Sequence, residues 1–321
     1  MSKLNLGIYW AASCGGCDVA ILDIHEKILA VNDACQIHLW PIAMDFKYKE
    51  VEALQDSFLD VTLYNGAVRN SENEELARLL RRKSKIMVAF GSCAHTGGIP
   101  ALANLYTRED LLNRVYVESE STVNPEKVIP TAKTEVPEGI VEIPQFYDRV
   151  YSLAQVVDVD YYVPGCPPNP ERIWEVLELI ISGKELPPKG TVIGATNKSL
   201  CDECERKKMD DKKITEFKRI DRMIPDPEIC FLDQGLICLG PVTRGGCGQQ
   251  CVKHSAVPCR GCYGPPPDIS DQGAKMISSL ASLIDSNDPD KIKEILDKQP
   301  DLAGYFYRFS MSESYLERRK P

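Results

Sequence analysis

Twelve of the thirteen cysteines in this 321-residue chain fall into three groups of four, and that grouping constrains the fold more than any other feature. The first group is Cys14 and Cys17, two residues apart, with Cys93 in Gly91-Ser92-Cys93 and Cys166 in Pro164-Gly165-Cys166-Pro167-Pro168. The other eight crowd between Cys201 and Cys262. Four thiolates are the donor set of one cubic iron–sulfur cluster, so the count points to three clusters and to a chain that conducts electrons. Only Cys35 is left over.

Thirteen cysteines in 321 residues lie well below the share of roughly 8–10% that marks a small disulfide scaffold, and a chain of this length can build an ordinary core. The first residues carry neither a long apolar run nor a twin arginine, and no stretch approaches the ~18 consecutive apolar residues of a membrane span. A cytoplasmic protein is expected, where cysteine spacing more often means metal than disulfide. The formal charge of −9 argues against nucleic acid as a partner, since its binders carry a basic face. Proteins are the expected partners.

Before Pro187-Pro188, short β-branched runs alternate with helical periodicity, the pattern of an open parallel sheet covered by helices. Strands are expected over 4–10, 36–41, 58–63, 85–90 and 156–163, and helices over 18–31, 72–82 and 171–182. Cys14, Cys17, Cys93 and Cys166 then all lie beyond carboxyl ends of strands, where open α/β sheets place their binding crevices. Gly15, Gly16, Gly91 and Gly165 beside them suit tight turns and close approach to a bulky group. The proline-bearing stretch 102–148 reads as a long excursion with no assigned chemistry. Beyond Gly190 apolar periodicity weakens and cysteines come every few residues, so this half is expected to depend on its metal groups for folding. Two domains follow, 1–187 with the first group and 188–321 with the rest. Two helices, 274–284 and 290–298, and a packing patch at Tyr305-Phe306-Tyr307 end the chain.

Cys201, Cys204, Cys230 and Cys238 make one natural quartet and Cys247, Cys251, Cys259 and Cys262 another, although by spacing alone Cys238 and Cys247 can trade places. Paired cysteines also build structural zinc sites, so a zinc-stabilised adaptor without redox function is the rival from another class. A CxxC after a strand also suits a dithiol oxidoreductase, but that would leave Cys93 and Cys166 without a purpose. His25, His38, His95 and His254 are scattered and read as surface or core residues, His95 and His254 keeping a minor claim to hydrogen bonds near sulfur. Cys35 reads as a small buried hydrophobe. Asp18 suits a helix N-terminus and is alternatively a proton gate beside the first group. The charged run 205–213 reads as a solvated helix face, or less simply as a dock for an acidic electron partner.

Trp10 with Cys14 and Cys17, Gly91-Ser92-Cys93 with Gly97-Gly98, Pro164-Gly165-Cys166-Pro167-Pro168, Cys238-Leu239-Gly240-Pro241 leading to Cys247, and Pro258-Cys259 with Cys262 together resemble the small subunit of nickel–iron hydrogenases. The resemblance covers nearly the whole chain. It implies a flavodoxin-like α/β domain followed by an irregular, cluster-rich domain. It further implies three 4Fe-4S clusters and no nickel, flavin or nucleotide on this chain. The proximal ligands would be Cys14, Cys17, Cys93 and Cys166, the medial ones Cys247, Cys251, Cys259 and Cys262, and the distal ones Cys201, Cys204, Cys230 and Cys238. The hydrogen-activating site would sit on a separate large subunit. Many membrane-linked relatives use histidine where this chain has Cys201, and three medial cysteines where Cys251 supplies a fourth. These departures resemble the cytoplasmic branch of methanogens that does not reduce the deazaflavin coenzyme, and in particular its gamma-type small subunit. In that branch the small subunit passes electrons to a small iron–sulfur protein linked to heterodisulfide reductase. The deazaflavin-reducing branch is the alternative. The cluster-bearing subunit of respiratory complex I shares the first fold but lacks the eight later cysteines.

Overall fold

In the computed structural model, residues 3–209, 214–299 and 301–316 are described. Five strands form one parallel sheet: β1 Leu4–Trp10, β2 Cys35–Leu39, β3 Leu59–Asn65, β4 Ser84–Phe90 and β5 Tyr161–Val163. Their order is β2-β1-β3-β4-β5, the flavodoxin-like arrangement expected for the first domain. Register pairs Trp10 with Asn65, Asn65 with Phe90, and Phe90 with Val163. Four strands therefore finish in one row, and the chain leaves that row toward Cys14, Cys93 and Cys166.

Both faces of the sheet are buried, which is why its strands read as near-continuous apolar runs. Leu6, Ile8, Leu63, Val88 and Phe90 pack on one side with Ile173 and Leu177 of helix Pro170–Ile181. Tyr9, Tyr64, Met87 and Ala89 pack on the other with Leu76 and Leu80 of helix Ser71–Lys83. Side-chain caps start both helices: the Asn70 amide oxygen accepts from the Asn73 N–H at 2.8 Å and that of Asn169 from the Arg172 N–H at 2.9 Å.

Three expected elements take a different form. The helix expected over 18–31 is two helices, Gly16–Leu22 and Lys27–Ala34, because His25 between them adopts φ 56° and cannot continue a right-handed turn. The strand expected over 156–163 is paired only over Tyr161–Val163. Upstream, the Asp160 carboxylate accepts from the Met87 N–H at 2.8 Å and from Arg81 at 2.6 Å, while Val156, Val157 and Val159 pack on the second core without joining the sheet. No helix forms over 205–209: the Lys207 N–H donates to the Glu228 carbonyl at 2.7 Å and the Cys230 N–H to the Lys207 carbonyl at 2.8 Å, an extended pairing. The rest of that run, 210–213, lies outside the described residues.

The chain divides into two compact units, Met1–Ile193 with Met311–Pro321, and Gly194–Ser310. The division falls after Ile193 rather than after residue 187, because Thr191 to Ile193 still pair with the sheet. The Tyr162 N–H donates to the Thr191 carbonyl at 3.1 Å and the Ile193 N–H to the Tyr162 carbonyl at 2.8 Å. The tail returns to the first unit, where Ser312 Oγ donates to the Thr96 carbonyl at 2.8 Å and Gln155 Nε2 to the Ser312 carbonyl at 2.7 Å. The 102–148 excursion stands outside the parallel sheet, with a helix at Arg108–Tyr116, a hairpin of Lys133–Val136 and Gly139–Glu142, and a strand Phe146–Tyr151 paired to Val68–Asn70.

The second unit is built from single turns and isolated bridges, with helices at Gln272–Ala281, Pro289–Asp297 and Leu302–Phe306. Phe306 and Tyr307 are buried, in keeping with packing as the purpose of that aromatic patch. Among the described residues no helix is long and apolar enough to cross a membrane.

Candidate iron–sulfur site

In the first unit, Cys14 and Cys17 flank the turn from β1 into helix Gly16–Leu22, Cys93 lies in the single-turn helix Ser92–Thr96 after β4, and Cys166 follows β5. The loops after β4 and β5 are tied together: the Gly91 N–H donates to the Val163 carbonyl at 2.7 Å and the Ser92 N–H to the Gly165 carbonyl at 2.8 Å. The four thiols feel one another's charge. Burial pushes the Cys17 thiol far up, and Cys93, Cys166 and Cys14 push it further, with Asp18. Burial, then Cys166 and Cys14, push Cys93 to about 12, against a hydrogen bond from the Ile99 amide.

Two glycines make room for these sulfurs. Gly91 has φ 84°, and a Cβ there would stand 2.4 Å from Cys17 Sγ. Gly98 has φ 53°, and its Cβ would stand 2.7 Å from Cys93 Sγ. Both conformations are also ones that side chains resist.

The second unit holds the other eight thiols. Cys201 is pushed to about 12 by burial and by Cys238, Cys230 and Cys204, with Lys208 pulling the other way. Cys251 is raised by burial and then by Cys247. Cys259 is raised well above the ordinary thiol range by burial, then by Cys238, Cys262 and Cys251. Cys201 thus feels Cys204, Cys230 and Cys238, Cys251 feels Cys247, Cys259 feels Cys251 and Cys262, and Cys238 and Cys259 link the two groups. At that link the Cys259 N–H donates to Cys238 Sγ at 3.3 Å, and the Leu239 N–H returns a bond to the Cys259 carbonyl at 3.0 Å. Cys238, one of the two cysteines whose place spacing leaves open, thus acts on Cys201 and on Cys259 alike.

The donor chemistry fits iron–sulfur clusters. Every set is all thiol, and backbone N–H groups aim at the sulfurs: Gly16 at Cys14 at 3.4 Å, Leu232 and Asp233 at Cys230, Gly240 at Cys238, and Gly261 at Cys259. Such donors stabilise thiolate and tune cluster potential. Cys35, 4% exposed in the first core, feels Asp60 and Lys3 but none of the other cysteines.

Asp18 is wholly buried, and its carboxylate accepts from Trp40 Nε1 at 2.9 Å and Asn65 Nδ2 at 3.0 Å. Burial raises its pKa and these two donors oppose the rise. Asn65 also donates to the Tyr9 carbonyl at 3.0 Å and accepts from Ser13 Oγ at 3.0 Å, so one amide locks Asp18 to the turn that carries Cys14. Sequence reasoning singled out Asp18 but missed Trp40 and Asn65. The available signal was Asn65-Gly66 closing an apolar strand. His95 packs on Tyr162 with ring centroids 4.8 Å apart, and His254 is exposed.

A flavodoxin-like sheet with four cysteines on its carboxyl edge, followed by a unit with two further all-cysteine sets, is the pattern of a hydrogenase small subunit. The family described as "NADH ubiquinone oxidoreductase, 20 Kd subunit" matches residues 14–180, the part that carries the first cysteine set. Over its length the chain is similar to an iron–sulfur subunit of the F420-non-reducing hydrogenase of Archaeoglobus profundus, 42% identical over 322 residues, 98% of each chain. It is also similar to a subunit of the F420-non-reducing hydrogenase of Methanothermobacter marburgensis, 37% identical over 316 residues, 96% of this chain and 94% of the relative. Among solved structures, a chain of the H2-reduced NAD+-reducing [NiFe]-hydrogenase is 32% identical, with a TM-score of 0.50 over 58% of this chain and 96% of that one. The Dm. baculatum [NiFeSe]-hydrogenase shares the fold at 20% identity, with a TM-score of 0.52 over 84% of this chain and 97% of that one. The chain belongs to the nickel–iron hydrogenase small-subunit family, and is an oxidoreductase subunit whose partner large subunit carries the hydrogen-activating site.

Proposed function

We propose that this chain carries three 4Fe-4S clusters. The proximal one is held by Cys14, Cys17, Cys93 and Cys166, the medial one by Cys247, Cys251, Cys259 and Cys262, and the distal one by Cys201, Cys204, Cys230 and Cys238. What supports this division is that Cys17 feels Cys93, Cys166 and Cys14, that Cys201 feels Cys238, Cys230 and Cys204, and that Cys259 feels Cys262 and Cys251 beside Cys238, with backbone N–H donors in each group. When bound, the clusters supply one-electron transfer between the large subunit and an acceptor. The chain's own part is to present the thiolates, donate amide hydrogen bonds to them, and keep water from Cys17, Cys93, Cys238 and Cys259, all buried. No nickel, flavin or nucleotide belongs to this chain.

The acceptor we propose is a small iron–sulfur protein linked to heterodisulfide reductase, in the cytoplasm. The relatives' common designation as F420-non-reducing favours this over a deazaflavin acceptor. Cysteine spacings that suit metal rather than disulfide fit a reducing compartment. Iron counting on anaerobically purified protein should return about twelve irons, four for each four-cysteine set; a colourless protein holding only zinc would refute the proposal in favour of a structural adaptor. Cys251→Ala should convert the medial centre toward a three-iron form visible by EPR. An unchanged iron count and spectrum would show the medial assignment to be wrong.

A further inference from the structure

Beside the Cys238 and Cys259 pair, the second unit has a cavity of about 260 Å3 whose lining includes Lys218, Arg219, Arg260, Arg308, Tyr305 and Pro258. Its charge is unbalanced in a chain whose net charge is −9. The lining holds four cations and one carboxylate, Asp221, which is occupied by Arg219 Nε at 2.9 Å. Lys218 stands 3.8 Å from Glu216. Arg260 and Arg308 have no carboxylate partner among the described residues, yet both are half-buried and held against the same ring. Their guanidinium carbons lie 5.0 and 5.5 Å from the Tyr305 centroid. Arg260 also donates to Tyr305 Oη, and Tyr305 Oη donates to the Ile237 carbonyl at 2.9 Å, so the ring that orders both arginines is itself fixed to the backbone before Cys238.

Two like charges confined to one ring repel unless an anion neutralises them, and a guanidinium fork presents its donors to oxyanions in pairs. Cluster thiolates cannot be the whole reason for the arrangement. Arg260 acts on Cys251, whereas Arg308, beyond the same ring, acts on Tyr305. We propose that this cavity binds a small, multiply charged oxyanion of phosphate or polycarboxylate chemistry, seated between Arg260 and Arg308 beside the Cys238 and Cys259 pair. A ligand there is within electrostatic reach of both cysteines, since Tyr305 already feels each of them. This consequence for redox chemistry rests on the cluster assignment above; anion binding itself does not. Negative charge beside the sulfurs favours the oxidised clusters, so the bound anion lowers their potential, and by reciprocity it binds the oxidised enzyme more tightly. A tenfold preference corresponds to about 59 mV for a one-electron centre.

Calorimetric titration of the complex with its large subunit, using pyrophosphate and then citrate at low salt, tests the site. Saturable binding of one anion is expected, weakened at least tenfold in Arg260→Gln and in Arg308→Gln and largely retained in Arg308→Lys. Redox titration followed by EPR should move the medial or distal potential downward on adding pyrophosphate, and not in Arg308→Gln. Equal affinity in wild type and Arg308→Gln, no saturable binding, or uptake of a glutamate-rich peptide without response to pyrophosphate each overturns the proposal. An iron count that contradicts three clusters would instead sink the cluster assignment, while arginine-dependent pyrophosphate binding would stand.

Discussion

Gly91→Ala tests whether the first unit is shaped around a metal group rather than merely rich in thiols. Adding the methyl acts in two ways. At φ 84° and ψ 163° an alanine is strained, by on the order of 1–3 kcal/mol. Its Cβ also lands 2.4 Å from Cys17 Sγ, where unstrained contacts between such atoms begin at about 3.5 Å. Something must give by about 1 Å, several times the ligand-distance tolerance of about 0.2 Å at a metal site. Moving the loop instead of the sulfur offers no escape. Gly91 is bonded to the Val163 carbonyl at 2.7 Å and opens the helix that carries Cys93, so relief at Cys17 displaces a second thiol.

The expected result is loss of about four of roughly twelve irons, with the EPR signals of the other two centres retained. Strain alone should lower the melting temperature by only a few degrees. Gly183→Ala is the control for an alanine at positive φ. It has φ 64° and nothing within 4 Å of its Cβ, so it carries the backbone strain without the collision and should keep all its iron. A Gly91→Ala protein with full iron and an unaltered spectrum would refute the reasoning, and equal iron loss in both variants would reduce the effect to general destabilisation.

Trp40→Phe removes a donor from the buried Asp18 carboxylate and should cost about 1.5–3 kcal/mol at neutral pH. Asp18 titrates above its ordinary value, so in that window the folded state binds more protons than the unfolded one, and its stability falls as pH rises. Losing a donor exaggerates this. The melting-temperature gap between wild type and variant should therefore be wider at pH 8 than at pH 5, and a gap independent of pH would count against a charged Asp18. Asp160 behaves oppositely. Burial raises its pKa, but Lys189, Arg81 and the Met87 N–H more than offset that and leave it lowered. Its contribution is present above the unfolded carboxylate value and lost as pH falls through the folded one. Asp160→Asn should cost about 2 kcal/mol near neutrality, mostly through Arg81 and Met87 because Lys189 is exposed. The difference should vanish in an acid denaturation series below the ordinary carboxylate range.

The first unit was legible because its elements repeat a pattern with one physical cause. A parallel sheet buried on both faces leaves apolar runs, and the breaks between them, at Cys14, Cys93 and Cys166, could only be loops at the carboxyl edge. Where expectation and structure part, one residue overrides the periodicity. His25 stops a helix whose apolar stripe would have carried it on, and Asp160 spends its carboxylate on Met87 and Arg81, so the valines before it never reach the sheet. Propensity cannot anticipate a side chain whose partners are more than seventy positions away. The Trp40, Asp18 and Asn65 network was hidden for the same reason: its members lie on three different elements and meet only through the register of β1 with β3.

The second unit was legible in its chemistry and not in its backbone, and both follow from how it is held together. Its turns are too short for periodicity to show, and its connections are single bridges such as Ser199 to Arg244 and Lys218 to Leu236. Burial first, and neighbouring thiols after it, take Cys201 to about 12 and Cys238 to about 11. At neutral pH these groups hold their protons until a cation displaces them, so under the proposed cluster assignment iron capture would release protons and its binding free energy would become folding free energy. The Cys238 to Cys259 bond makes the two sets interdependent. It joins one thiol of each set through a backbone amide, and the Leu239 N–H to Cys259 carbonyl bond holds that amide in place. Disturbing either set therefore shifts a sulfur of the other, and the four-by-four pattern visible in the sequence becomes, in the folded unit, one cooperative structure.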